Sequence, residues 1–353
     1  MLIYQNRLER DFSGTNRLYD NRTITTRPIL SNTLLPERIP TTFASILVPF
    51  FHPLPHHHPS YVPTQELHGK VFAHLNMREL LMVAATSNFN QSLVYDYIEE
   101  QKKKLALHFF KNRESFFETL SHANAVISGS TALHLLLPAV TTNWMPSDLD
   151  LYVPKSGYSK LEPWIARQGY CISHVGKHGG NVYLYAAMEQ KLRFSNGLRT
   201  IEIVVSNTEA TCAPIFQFHS TAVMNFFSTE CIFCAYPKHT FAYLSMVNPG
   251  RVYCDAFQLD NMDALRKYED RGFTYVPWQN ESTKAGPTSY ESRTLSDKSC
   301  MFIKTMKTPS IKGHHDLAHR TGVIDVEWCL GGRVSTSSPA FIYPRSKVVK
   351  DRS

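Results

Sequence analysis

Two carboxylates spaced two residues apart, Asp148 and Asp150, follow Gly129-Ser130, the pair that closes the apolar run Val126-Ile127-Ser128. On a strand, alternate side chains share a face, so Asp148 and Asp150 project together, about 7 Å apart, while Leu149 and Leu151 face the core. Hard oxygen ligands at that spacing suit Mg²⁺, with Mn²⁺ as the alternative. The Gly-Ser pair opens into Thr131-Ala132-Leu133-His134-Leu135-Leu136-Leu137, the pattern of a strand turning directly into a helix. Backbone N–H groups at such a turn attract phosphate oxygens. By charge alone, Lys177 beside Gly179-Gly180 and Arg193 further on are candidate triphosphate contacts.

These residues need a scaffold, and the chain alternates accordingly. A helix at Ser115–His122 leads to a strand at Ala125–Ser128 and a helix from Thr131. A strand at Leu149–Val153 and a helix around Tyr158–Gln168 come next. Strand-like 170–175 and 181–186 flank Gly179-Gly180, and Asn196-Gly197 gives a hairpin signal before Arg199–Val205. That order predicts an α+β domain with a mixed sheet flanked by helices. The stretch Phe218–Phe227 places Ala222, Val223, Phe226 and Phe227 on one helical stripe, which reads as core. His219 at its start is either a substrate contact or a structural histidine. A helix is expected over Asp260–Arg271, ending at Gly272. Its first residues are acidic, and Arg266, Lys267 and Arg271 complement the dipole at its C-terminal end. Cys231-Ile232-Phe233-Cys234 has a CxxC spacing with no second pair at zinc-finger distance, so these read as buried structural thiols.

Upstream, residues 64–112 read as a small all-α module. Asn76 followed by Glu79 has the form of a capping box, and apolar positions recur at Leu80, Val83, Ala84, Phe89 and Leu93. Residues 1–63 carry eight prolines and no sustained period, so a disordered leader is expected, with the histidines at 52–58 as part of a linker. Beyond Trp278 lies a Ser/Thr-rich linker with short strands at 300–303 and 326–332 before a basic end. From Ser282 onward 12 Lys or Arg stand against 6 Asp or Glu, within a chain of net charge +7. That asymmetry could steer an anionic partner, or it is a solvated tail. Neither a signal peptide nor an uninterrupted run of ~18 apolar residues is present, which predicts no membrane span and a cytoplasmic or nuclear location. Seven scattered cysteines suit reduced thiols better than a disulfide framework.

The strand, Gly-Ser, helix and Asp-x-Asp strand resemble the nucleotidyltransferase superfamily, the polymerase-β-like fold, over about 125–240. The resemblance implies a third carboxylate on a later strand, which would be Glu202 between Ile201 and Ile203. It further implies Mg²⁺ held by Asp148, Asp150 and Glu202, a nucleoside triphosphate such as ATP as nucleotidyl donor, and Ser130 on its terminal phosphates. Two features depart from the pattern: Glu202 stands where Asp is commoner, and the loop from Ala139 to Ser147 is long. Residues 64–112 resemble an F-box through Leu75-Asn76-Met77-Arg78-Glu79-Leu80 and Val83–Asn90, without the usual Leu-Pro entry. That likeness implies docking of a ubiquitin-ligase linker subunit through Phe72, Leu75, Leu80, Leu81 and Val83. The expected organisation is a leader at 1–63, the helical module at 64–112, a nucleotidyltransferase-like domain at 113–278 and a tail at 279–353. A nucleic-acid acceptor is compatible with this reading, but no residue pattern demands one.

Overall fold

A computed structural model of the chain describes residues 63–177, 187–248, 259–277, 293–305, 326–330 and 343–344. The expected leader, the histidine-rich run, the strand at 181–186 and the linker after Trp278 lie outside the described residues. So does most of the basic tail.

Three helices open the described chain: α1 at Pro63–Phe72, α2 at Met77–Ala84 and α3 at Asn88–Leu107. The capping box is formed as its residues require. Asn76 Oδ1 accepts from the Glu79 backbone N–H at 3.1 Å, and Glu79 Oε2 accepts from that of Asn76 at 2.8 Å. Ser87 caps α3 in turn, and Asn112 caps α4, Arg113–His122. Then come β1 (Val126–Ser128), α5 (Gly129–Leu136), β2 (Asp148–Pro154) and α6 (Lys155–Arg167). β3 (Cys171–Lys177), β4 (Met188–Ser195) and β5 (Thr200–Ser206) complete the half of the sheet that follows β2.

Later elements are short: β6 (Asn225–Phe227), β7 (Cys231–Cys234), α7 (Pro237–Thr240), β8 (Leu244–Ser245), α8 (Leu259–Glu269) and β9 (Thr274–Tyr275). They are followed by β10 (Arg293–Thr294), β11 (Met301–Lys304), β12 (Val326–Trp328) and β13 (Tyr343–Pro344). Eight strands form one mixed sheet in the order β11-β7-β6-β1-β2-β5-β4-β3. Its parallel pair is β2 with β5, at the centre, where both strands are largely buried. Buried central strands of this kind carry near-continuous apolar runs, as Ile201, Ile203, Val204 and Val205 do here.

Each face of the sheet has its own partner. Leu149, Leu151 and Val153 point to the face covered by α6, where a Cβ on Gly157 would stand only 2.8 Å from Val153 Cγ2. On the other face Val126, Tyr152, Val204, Phe226 and Phe233 form a core with Phe216 and Trp328, whose rings stack at 3.9 Å. Asp148 and Asp150 lie on this second face, just beyond Tyr152, where that core ends.

Two expectations are corrected. The stripe at 222–227 is not a helix: a 3₁₀ turn at Thr221–Val223 gives way to β6. Pairing with β1 and stacking of Phe226 on Phe233 decide the matter, and Asn225 Nδ2 closes the turn by donating to Ala222 O at 2.7 Å. The strand near Ile303 is no isolated piece of a tail, because β11 pairs with β7 and forms one edge of the main sheet. As expected, Cys231 and Cys234 are buried. Their three-residue offset on β7 puts them on opposite faces, and burial pushes Cys231 up to about 11. No helix among the described residues is long and apolar enough to cross a membrane.

α3 is tied to the far edge of the sheet by one buried cation. Lys102 is fully buried, and its ammonium donates to Glu99 Oε1 at 2.7 Å, Thr229 O at 3.2 Å and Thr305 Oγ1 at 3.2 Å. All three donors are thus used, which offsets the desolvation that holds this amine below its usual range. Lys102→Ala removes both the ties and the packed stem, so we expect a loss of roughly 2–4 kcal/mol in urea unfolding. Lys102→Met, which keeps the volume without the charge, is expected to cost less.

Candidate functional site

The site begins where β1 runs into α5. Gly129 adopts φ +60°, and a Cβ placed on it would stand 1.9 Å from Asp150 Oδ2. The position therefore demands glycine twice over, for its backbone and for the carboxylate lying against it. Asp150 accordingly packs against the first turn of α5, where unpaired backbone N–H groups favour negative charge. Ser130 follows, buried, and its Oγ has no hydrogen-bond partner among the described residues. A buried hydroxyl in that state calls for a ligand or water to complete it. Thr131 Oγ1 reaches back to Asp148 O at 3.4 Å, fastening α5 to the start of β2.

Register assembles the remainder of the site. Ser128 on β1 pairs with Asp150 on β2, Asp150 with Glu202 on β5, and Glu202 with Arg193 on β4. These four side chains form one row across four strands on one face of the sheet. Glu202 is buried, and both its oxygens are engaged: Arg193 Nε donates to Oε1 at 2.9 Å, and Lys191 Nζ stands 2.6 Å from Oε2. Asp148, one step toward the open end, accepts from Ser147 Oγ at 2.9 Å and lies 3.5 Å from Lys267 Nζ. Burial, then the charges of Asp148 and Glu202, push Asp150 up to about 8, against the pull of Lys191 and Lys267. Among the described residues no three His, Cys, Asp or Glu side chains form a ready metal-ligand set. In this arrangement Glu202 is turned toward the cations of β4.

A wall closes the side next to Asp148. Lys267 belongs to α8; just past that helix, Arg271 lies with its guanidinium 3.8 Å over the Trp144 ring and 5.2 Å over Tyr268. Trp144 sits on the long loop before Asp148 and meets His134 of α5 edge-on at 5.2 Å. Burial, then the charge of Arg271, hold His134 below its usual range. Tyr268 is buried with Leu133, Leu137, Val223 and Phe273. The loop that lengthens the Gly-Ser to Asp-x-Asp spacing is thereby pinned by a stacked arginine.

Asp148, Asp150, Glu202, Gly129, Ser130 and Arg193 therefore meet at one place. Lys177 ends β3 opposite Gln190, and its side chain lies outside the described residues, as do His178, Gly179 and Gly180. His219 packs 5.6 Å from the Tyr268 ring, and its carbonyl accepts from Asn248 N at 2.7 Å, a structural setting. Lys191 is an addition, and the alternation Glu189, Lys191, Arg193 against Leu192, Phe194 could have revealed its strand. Lys267 and Arg271, which in sequence only complement a helix dipole, also belong to this site. No protein-family model, curated protein or solved structure matches this chain.

Two measurements follow from this geometry. Gly129→Ala is expected to destabilise the fold by on the order of 2–4 kcal/mol, through the left-handed backbone and the collision with Asp150. In an Asp150→Ala background the same change should cost less by more than 1 kcal/mol, and additive costs in thermal unfolding would disprove the contact. Asp150, raised in the folded chain, binds a proton that the unfolded chain has already released above about pH 4. Stability of the chelator-treated protein should therefore fall as pH rises from about 4 to about 8 and level off above. Asp150→Asn should lack this slope when melting is followed across that range.

Proposed function

We propose that this chain is a Mg²⁺-dependent nucleotidyltransferase-like protein that moves a nucleotidyl group from a nucleoside triphosphate, such as ATP, to an acceptor hydroxyl. The observation that carries the reading is the parallel register of β2 and β5, which sets Asp150 beside Glu202 beneath the glycine turn into α5. The donors fit a hard cation, because Asp148, Asp150 and Glu202 offer carboxylate oxygens and, among the described residues, no cysteine joins them. Burial, then the crowding of three acids, raises Asp150, and the crowding is the condition that a divalent cation relieves.

Asp148, Asp150 and Glu202 would hold Mg²⁺, with Mn²⁺ as the alternative. Bound there, the metal supplies charge stabilisation for the attacking and leaving oxygens of an in-line displacement. The first-turn N–H groups of α5 and Ser130 Oγ hold phosphate oxygens. Gly129 keeps the backbone low enough for them to approach. Lys191, Arg193 and Lys267 balance phosphate charge from the β4 and α8 sides. Trp144, held under Arg271, fixes the loop that leads into Asp148. In the reaction the acceptor hydroxyl releases its proton to solvent, its oxygen forms a bond to the α-phosphorus, and the bond to the pyrophosphate leaving group breaks.

A second reading, a non-catalytic F-box-type adaptor, is favoured by one observation on the helical module. Leu67, Met82 and Phe89 are exposed there at 51%, 48% and 48%. Phe72, Leu75 and Leu80 are buried within the chain, so any docking face would use the former three with Leu81 and Val83. Pull-down of a ubiquitin-ligase linker subunit by the full chain, lost on Leu67→Asp and Phe89→Asp, is the outcome that supports it.

Calorimetric titration of nucleoside triphosphates tests the principal reading. We expect binding that requires Mg²⁺ in the wild type and disappears in Asp148→Asn/Asp150→Asn; wild-type protein that binds no triphosphate with Mg²⁺ would refute it. Since Asp150 must release a proton to ligate, Mg²⁺ affinity should rise with pH up to about 8 and then level.

A further inference from the structure

We propose that Lys191 and Arg193 are positioning residues that hold Glu202 away from the metal until a phosphate-bearing ligand takes them. The divalent cation and the triphosphate then bind as a coupled pair. This rests on the nucleotidyltransferase reading above. Glu202 stands in register between Asp150 on β2 and Arg193 on β4, so it has acids on one side and cations on the other. Both of its oxygens are turned to the cations, with Lys191 Nζ at 2.6 Å and Arg193 Nε at 2.9 Å. A carboxylate shared by two cations is a poor metal ligand.

Exposure identifies which partner is free to leave. The Glu202 side chain is 9% exposed, whereas those of Lys191 and Arg193 are 44% and 55% exposed. Three ammonium and five guanidinium donors exceed what one carboxylate uses, so the cations present open donors to solvent on the same face as the site. A phosphate arriving there meets the stronger, charge-assisted geometry that guanidinium offers. Once relieved of its two cations, Glu202 needs only a side-chain rotation to face Asp150. Glutamate is suited to that exchange, because its extra methylene spans the two neighbouring strands, whereas aspartate would be fixed nearer its own. Linkage makes the effect reciprocal: whatever the phosphate does for the metal, the metal does for the phosphate.

Mg²⁺ is titrated calorimetrically, at fixed ionic strength, into wild type, Lys191→Gln/Arg193→Gln, and that pair combined with Glu202→Gln, each with and without a non-cleavable ATP analogue. In the wild type the analogue should raise Mg²⁺ affinity at least about fivefold. Without the analogue, the double variant should bind Mg²⁺ about tenfold more tightly than wild type, a difference near 1.4 kcal/mol. The analogue should then add little, and the triple variant should lose the gain. A gain that survives Glu202→Gln would be the field of the missing cations alone and would overturn the proposal, as would no gain at all. Circular dichroism establishes folding; if the double variant is unfolded, Arg193→Gln and Lys191→Gln singly carry the same expectation at smaller size. Wild-type protein that binds Mg²⁺ and analogue without coupling removes this inference alone. Wild-type protein that binds neither removes the reading beneath it as well.

Discussion

Two carboxylates on neighbouring central strands repel, and much of the molecule around them is arranged to make that tolerable. Burial, then the charges of Asp148 and Glu202, raise Asp150, the response of an acid held among acids away from water. Asp150 and Glu202 are fixed in this relation by the β2–β5 register, which buried Leu149, Leu151, Ile201 and Ile203 leave no room to slip. Each local feature of the site then acts as compensation. Lys191 and Arg193 flank Glu202, Lys267 flanks Asp148, and the first turn of α5 leans on Asp150. Such a setting is the one that the proposed divalent cation would relieve.

The wider fold serves the same end. α6 fills the face behind the acids, and the aromatic core around Phe216, Phe233 and Trp328 fills the front face as far as Tyr152. The acids occupy the strip beyond that core, against the first turn of α5. α3, anchored through Lys102 to the turn before β7 and to the residue after β11, braces the opposite edge of the sheet. Elements distant in sequence therefore bear on one row of side chains.

Local patterns were legible where local physics decides. The strand-to-helix turn at 126–136, the alternation around Asp148 and Asp150, the Asn76 capping box and the helix ended by Gly272 all follow from period, cap and glycine. Alternation places Glu202 on a strand, but only the family resemblance groups it with Asp148 and Asp150, since strand order is a property of the whole chain. The stripe Ala222, Val223, Phe226, Phe227 fits a helical period equally well, and pairing with β1 and β7 overrode it. β11 gave no sign that its partner lay at Cys231–Cys234. Lys267 and Arg271 satisfy a helix dipole in sequence, and two of their partners, Asp148 and Trp144, lie more than a hundred positions upstream. Lys191 carries no local mark of its role, because its partner Glu202 is set by the pairing of β4 with β5.

The contact between Gly129 and Asp150 also shapes how this protein can evolve. Every alternative to glycine brings a Cβ into the volume that Asp150 Oδ2 occupies. No single substitution at position 129 is neutral while the acid stays in place, and the two positions can drift only together. A descendant that carries any side chain at 129 has therefore already surrendered the placement of its central acid. One codon thus records whether the acid has kept its place against the turn.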